Sequence, residues 1–174
     1  MVTTLEAHRA RAGDAARLAA CLRPADRAEL QALGRAPREA LNDAVAASLE
    51  PMALSCGDGR LIALYGVVPY PDADRLARIG APWMMATPML AAVRAPFLRG
   101  CRAELTRLEQ GFDLLANRVD ARNALHRRWL RWLGFSFVRR LEAFGPERRP
   151  FLEFVKTPGL EPGAMGGRLC ATLS

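Results

Sequence analysis

The spacing of hydrophobic residues changes several times along this chain, and each change predicts a new secondary-structure element. Residues 5–9 form a short stretch that predicts a first strand. Apolar residues then recur every three or four positions, which is the period of a helix with one buried face. Three helices are predicted in this part: the first is capped by Asp14, the second begins after Pro24, and the third runs from Ala36 to Leu49.

The period then shortens to two, as in a strand with one buried face. Residues 52–56 and 61–68 flank a Gly-Asp-Gly turn and predict a β-hairpin, and residues 83–86 predict another short strand. A long helix is predicted over residues 89–110. Because Pro96 lies inside it and has no backbone N–H, it must either kink this helix or mark its true first turn.

The last third of the chain repeats the order of strand and helix. A strand is predicted over residues 114–118 and a helix over residues 121–133. Asp120 is a better N-cap for this helix than Asn123. Gly134 is expected to end that helix in the left-handed conformation. Two alternating stretches predict a closing antiparallel pair of strands, at residues 135–143 and 151–155.

This order of elements predicts one domain of the α/β (α+β three-layer) class over residues 1–157. Residues 158–174 contain four glycines and little periodicity, and they are predicted to form an extended or flexible C-terminal tail. No stretch reaches the roughly 18 apolar residues of a transmembrane helix, so no membrane contact is expected.

Composition adds a basic character. The formal net charge is +7, and arginine supplies almost all of the positive charge, because Lys156 is the only lysine. This balance favours an acidic partner, such as nucleic acid, a phosphorylated cofactor or an acidic protein, although a solvated basic surface has the same composition. The four cysteines are widely spaced, which predicts no metal site and favours buried, reduced thiols in a cytoplasm.

A strand end, a polar turn, a helix and a Gly-Phe stop follow one another between Asn117 and Phe135. This block resembles the last helix of the GCN5-related N-acetyltransferase (GNAT) fold. There an Asn is followed seven residues later by a Tyr, and four residues after that by Gly-Phe; Asn123 and Gly134 hold those places here, and Leu130 occupies the Tyr position. The resemblance implies a mixed, mostly antiparallel central sheet with helices on both faces.

A narrower resemblance rests on Tyr65-Gly66 in the hairpin, Trp83 in the next strand, the basic long helix and the block described above. Together these are similar to phage-encoded GNAT-like proteins of short-tailed phages (podoviruses), related to the family called internal virion protein A. The resemblance implies a virion or assembly protein, located in the virion and in the host cytoplasm during assembly. Its partners would be other virion proteins of the portal or tail region.

Acetyl transfer in the GNAT family uses a glycine-rich loop at a helix N-terminus, where backbone N–H groups face the cofactor pyrophosphate. Here the corresponding stretch contains only Gly100, and Pro96 removes one N–H. Arg94 and Arg99 offer charge to phosphate instead, although a solvated helix face is the simpler explanation for them. Acetyl-CoA is the cofactor expected if the chain is active, and otherwise none is expected.

Proton handling is the second weak point. The family's Tyr donates a proton to the departing thiolate, and Leu130 has none to give, so we expect it to pack in the core. His126, one helical turn earlier, is the only titratable replacement nearby, but a surface histidine is the plainer explanation. Asn117 and Asn123 are candidates for contacts with the pantetheine arm, although a turn or a helix cap uses the same residue type.

The helix after the polar turn has an arginine-rich surface, at Arg122, Arg127, Arg128 and Arg131. Such a surface is typical of docking to an acidic protein or to nucleic acid. Three functions stay open. They are a virion or assembly protein with a degenerate acetyltransferase fold that acts through protein binding, an active acetyl-CoA-dependent N-acyltransferase, and an arginine-rich nucleic-acid-binding module. The missing Tyr and the missing loop favour the first.

Overall fold

The computed structural model of the chain describes residues 4–70 and 77–159. The predicted tail beyond residue 159 lies outside the described residues. The elements follow one another in the predicted order. The strands are β1 (Leu5–Arg9), β2 (Met52–Cys56), β3 (Leu61–Pro69), β4 (Ile79–Ala86), β5 (Leu114–Asp120), β6 (Ser136–Phe144) and β7 (Arg149–Lys156), and the helices are α1 (Asp14–Ala20), α2 (Pro24–Ala32), α3 (Pro37–Ala47), α4 (Arg94–Glu109) and α5 (Ala124–Trp132).

The strands form one sheet in the order β1-β2-β3-β4-β5-β7-β6. Neighbouring strands are antiparallel, except that β4 and β5 are parallel. Helices α1, α2 and α3 pack on one face, and α4 and α5 pack on the other. The predicted three-layer α/β class with a mostly antiparallel sheet is therefore confirmed.

Each face of the sheet has its own hydrophobic core, because successive residues of a strand point to opposite faces. Leu41 of α3 and Leu64 of β3 are fully buried on the first face. On the second face Leu105 of α4 and Leu130 of α5 pack in one cluster with Leu115 of β5. The two cores hold helices from both halves of the chain against a single sheet.

The long helix begins later than the apolar pattern predicts. A 3-10 turn occupies Pro88–Ala91, and α4 starts only at Arg94. Pro96 therefore lies in the first turn, where its missing N–H breaks no helical hydrogen bond. The predicted earlier start was wrong because Leu90 reaches the core from this turn, and Val93 reaches it from the N-cap position of α4.

The cap of α5 also differs from the prediction. Asn123 is the N-cap, and its Oδ1 accepts a hydrogen bond from the His126 N–H at 3.2 Å. Asp120 instead accepts the Arg122 N–H in the turn before the helix. Asp and Asn cap helices about equally well, so their side chains alone do not rank them. Gly134 has a φ of +92° and ends the helix as predicted.

Candidate functional site

Strands β4 and β5 run side by side only at their beginnings. Two residue pairs join them, Ile79–Leu114 and Gly80–Leu115. Beyond these pairs Pro82 has no N–H to donate, and its carbonyl accepts a hydrogen bond from Asn117 Nδ2 at 2.8 Å. A mainly apolar cavity of about 620 Å³ lies where the strands separate, lined by α2 from one face of the sheet and by α4 and α5 from the other.

One backbone amide of β4 faces this cavity without a strand partner. The Thr87 N–H donates to the Ile62 carbonyl at 2.8 Å, which fixes the alternation of bonded pairs between β3 and β4. The alternation makes Tyr65 and Met84 a non-bonded pair, so the Met84 N–H points towards β5. Because β5 has already separated from β4 there, this N–H is available to a ligand.

Helix α2 lies across the open end of the two strands. Asp26 accepts the Ala86 N–H, at the end of β4, at 2.8 Å, and it also accepts a hydrogen bond from Arg23 Nε at 2.7 Å. One turn later Glu29 accepts the Asp120 N–H, at the end of β5, at 3.4 Å. The helix thereby connects both strand ends and places the Glu29 carboxylate at the cavity.

The carboxylates of Glu29 and Glu104 line the cavity, and their surroundings shift their pKa values in opposite directions. Burial raises the pKa of Glu29 to about 7, opposed by the Asp120 N–H and assisted by the charge of Asp26. On the other face, hydrogen bonds from Arg107 hold the pKa of Glu104 below its usual value. Glu29 is thus the carboxylate whose protonation changes near neutral pH, as a general base requires.

His126 lines the same cavity from α5. Burial lowers the pKa of its imidazole to about 4, and the positive charge of Arg23 acts in the same direction. The ring is therefore neutral at pH 7 and has no ready proton for a departing thiolate. Its buried Nδ1 has no hydrogen-bond partner among the described residues, so it can bind a polar group in the cavity.

The residues that define the resemblance lie beside His126. Asn123 caps α5 through Oδ1, while its buried Nδ2 has no partner in the part of the chain that the structure describes. Leu130, in the Tyr position, is 3% exposed and packs in the core, while one side of it borders the cavity. The expected burial of Leu130 is confirmed, and α5 offers no hydroxyl at this point.

The residues proposed for phosphate do not form the glycine-rich loop of the family. The 3-10 turn before α4 uses its own N–H groups, because Leu90 donates to Thr87 while Ala92 and Val93 donate to Met89. Gly100 lies in the second turn of α4 and not at the helix N-terminus, although it does line the cavity. Arg94 and Arg99 are exposed and form no ion pair within residues 4–70 and 77–159.

The four arginines predicted as a docking surface fall into two pairs. Arg122 pairs with the buried carboxylate of Asp120, and Arg127 is half-buried and donates to a backbone carbonyl at 2.9 Å. Arg128 and Arg131 are exposed and have no ion pair among the described side chains. The docking role stays a prediction, and these two arginines are the ones available for it.

Other sites are limited within the described residues. No group of three or more His, Cys, Asp or Glu side chains there is placed to hold a metal ion. None of the helices in that part is long and apolar enough to cross a bilayer. Cys56 is buried as expected and Cys101 is partly buried at the cavity, but Cys21 is exposed.

Comparison with known proteins identifies the fold. No protein-family model and no curated protein matches the chain. Among solved structures, a GNAT-family acetyltransferase from Streptococcus pneumoniae has a TM-score of 0.58 and 16% identity, covering 88% of this chain and 99% of that chain. Spermidine N-acetyltransferase from Vibrio cholerae with CoA and spermine has a TM-score of 0.61 and 13% identity, covering 88% and 95%. A Salmonella typhimurium protein with its cofactor acetyl-CoA has a TM-score of 0.65 and 11% identity, covering 91% and 96%.

The chain has the GNAT fold. At these identities the likeness shows the fold alone, and the chemistry has to be argued from the cavity. Sequence patterns did not single out its two most useful groups, Glu29 and the Met84 N–H. Glu29 occupies an ordinary position in an amphipathic helix, and only its proximity to Asp120, 91 positions away, marks it. A free backbone amide leaves no trace in the side-chain pattern, although the proline at position 82 hints at a break in the sheet.

Proposed function

We propose that this GNAT-fold chain is an N-acyltransferase that accepts an acyl thioester of the coenzyme A type between β4 and β5. The cavity that crosses the sheet where these strands separate is the observation that supports the proposal most. Its lining from α4 and α5 is on one face, and Glu29 of α2 is on the other. A thioester and an amine can therefore meet from opposite faces of the sheet, which fixes their relative orientation.

The cavity fits the acyl and pantetheine part of such a donor better than its phosphate part. The Met84 N–H is placed to hold a carbonyl oxygen, and the unpartnered Asn123 Nδ2 and His126 Nδ1 offer hydrogen bonds to the arm. Arg94 and Arg99 offer charge to phosphates, but the amides of the preceding turn are already bonded. When bound, the thioester supplies an acyl carbon activated for attack by an amine.

In the proposed reaction the amine nitrogen attacks the thioester carbon, so that a C–N bond forms and the C–S bond breaks. The Met84 N–H stabilises the negative charge that develops on the carbonyl oxygen. Glu29 accepts the proton released from the nitrogen. The departing thiolate takes its proton from water, because Leu130 has none. Because a thiol has a pKa of only about 8.5, the thiolate can leave without a proton donor from the protein.

Release of free thiol from acetyl-CoA in the presence of polyamines or peptide amines tests this function. We expect Glu29→Gln to lower kcat by about 10²–10⁴-fold, because a positioned base contributes that much. Glu39→Gln, at an exposed position of α3, is the matched control and should leave the rate unchanged. Calorimetry separates binding from turnover, and a chain that neither binds nor consumes millimolar acetyl-CoA contradicts the proposal.

A non-catalytic role in a phage particle is the second candidate. Loss of catalysis is supported by Leu130 in place of the proton donor, and by Pro96 with the 3-10 turn in place of the glycine-rich loop, whereas the phage particle comes from the sequence resemblance. In this function the arginines of α4 and α5 dock a portal or tail protein, and the cavity is a remnant. Mass spectrometry of purified particles tests it. Consistent absence from particles, together with measured thiol release, would leave only the enzyme.

A further inference from the structure

The outer surface of α4 and α5 is basic without acidic partners. No Asp or Glu occurs between Arg94 and Ala103 or anywhere in α5. Within the described residues, most arginines elsewhere form ion pairs. The arginines of this surface are exposed and form none in that part of the chain: Arg94, Arg99, Arg102, Arg128 and Arg131. The surface therefore presents unbalanced positive charge to a partner.

Two large apolar side chains interrupt this charge. Leu125 is 64% exposed and Trp132 is 41% exposed, and their spacing of seven positions puts them on one flank of α5. Arg102 of α4 extends this flank, because its guanidinium lies 4.2 Å from the centre of the Trp132 ring and donates to the Trp132 carbonyl at 3.1 Å. We call the part of the surface around these two side chains the basic seam. It comprises Arg99, Arg102, Leu125, Arg128 and Trp132.

The basic seam borders the cavity. Phe97 of α4 and Trp129 of α5 both line the cavity, and their ring centres are 5.6 Å apart between the two helices. Leu125 and Trp132 of the basic seam lie four positions before and three positions after Trp129, and residues at these spacings share one helix face. A partner bound to the basic seam can therefore insert an extended group past these rings.

We infer that the acyl group is delivered by a small acidic carrier protein, which docks on the basic seam and inserts a phosphopantetheine arm bearing the thioester. The inference rests on the proposed N-acyltransferase function. It accounts for two features together: the arm has a cavity, whereas the segment between β4 and α4 has no glycine-rich loop for the phosphates of a free nucleotide. A carrier protein gains its affinity from charge and apolar contact on the basic seam instead.

The composition of the basic seam favours a protein over a nucleic acid. Tryptophan and arginine are the residue types that most often dominate protein interfaces, where an apolar centre is surrounded by polar residues. An exposed leucine contributes nothing to contacts with a phosphate backbone, which depend on charge and hydrogen bonding. Leu125 beside Arg128 is therefore better explained by an acidic protein surface with its own apolar patch.

A donor comparison tests the inference. The full chain is assayed with three donors that carry the same acetyl group: acetyl-pantetheine, acetyl-CoA and an acetylated acidic acyl carrier protein. We expect kcat/KM for the carrier-bound donor to exceed that for acetyl-pantetheine by about tenfold or more, and to fall steeply with added salt, because charge pairing speeds association.

Charge reversal locates the docking surface. The double variant Arg102→Glu and Arg128→Glu should raise KM for the carrier-bound donor by about tenfold or more and leave kcat/KM for acetyl-pantetheine unchanged. Arg38→Glu is the matched control, because this arginine is exposed on α3, across the sheet, and has no ion pair among the described residues. Unchanged thermal unfolding of both variants shows that they fold.

Each outcome bears on a different proposal. No turnover with any of the three donors overturns the acyltransferase function itself. Turnover of acetyl-pantetheine and acetyl-CoA without an advantage for the carrier, or an effect of the double variant on all donors alike, overturns the carrier inference alone. Retardation of DNA that the double variant abolishes, with carrier turnover unaffected, would assign the basic seam to nucleic acid instead.

Discussion

Glu29 and His126 border the cavity from opposite faces of the sheet, and burial shifts their pKa values in opposite directions. Burial raises the pKa of Glu29 to about 7 and lowers that of His126 to about 4. Between these values Glu29 is protonated and His126 is unprotonated, so neither side chain is charged. Above pH 7 the cavity gains the negative charge of Glu29, which attracts a protonated amine and can then accept its proton. The burial of Glu29 therefore sets the pH above which the cavity carries a negative charge.

Stability should report the shift of Glu29 directly. The folded pKa of about 7 lies above the ordinary value of 4.5, so the folded chain holds this proton more tightly than the unfolded chain. That contribution is complete below pH 4.5 and is lost as the pH rises through 7. At pH 8 the free energy of unfolding of Glu29→Gln should therefore exceed that of the parent by about 1–3 kcal/mol, as measured by denaturant unfolding. The difference should vanish near pH 4. A constant difference across this range would contradict the raised pKa.

Leu130 offers a test of packing in the place where the family has its proton donor. It is 3% exposed in a cluster with Leu115 and Val119, so Leu130→Ala should cost about 2–5 kcal/mol in the free energy of unfolding. Leu125→Ala is the matched control, since that side chain is 64% exposed and should change stability by less than about 0.5 kcal/mol. Equal losses for the two variants would mean that Leu130 is not a core residue.

At the scale of elements, the start of α4 decides how the phosphate end of the cavity is built. A helix that began directly after β4 would expose several free N–H groups there. The 3-10 turn at Pro88–Ala91 delays the helix to Arg94, and the N–H groups of Leu90, Ala92 and Val93 are bonded within this segment. Gly100 is consequently displaced into the second turn, where a flexible residue serves no turn or close approach.

Gly100 therefore weakens α4 without a steric reason. A side chain there meets no atom within 4 Å, and its φ is not positive, so Gly100→Ala should stabilise the chain by about 0.4–1 kcal/mol. Gly134→Ala provides the contrast, because its φ of +92° is unfavourable for a residue with a side chain, and we expect a loss of about 1 kcal/mol or more. Thermal unfolding measures both, and a destabilised Gly100→Ala would show that the second turn is not a regular helix.

At the scale of the whole molecule, the sequence predicts the layers better than the site. Apolar spacing sets which face of each helix is buried, and so the element order and three-layer class follow from it. The start of β4 escapes prediction because Gly80 and Pro82 resemble a connection, although both lie in the strand. These residues are there because the strand leaves β5 at this point. Glu29 escapes for a related reason: its pKa depends on burial beside Asp120, which only the folded chain brings close.

The junction of β4 and β5 should be the least stable part of the sheet. Only Ile79–Leu114 and Gly80–Leu115 pair there, and Asn117 adds the hydrogen bond to Pro82. Asn117→Ala leaves that partly buried carbonyl without its donor and should cost about 1–3 kcal/mol, whereas the exposed Asn42→Ala should cost less than about 0.5 kcal/mol. Hydrogen exchange should then quicken first at β4 and β5, while β2 and β3 stay protected. Uniform acceleration of exchange across the sheet would mean that β4 and β5 do not separate at this junction. The cavity would then lose its structural basis as the entry for a thioester arm.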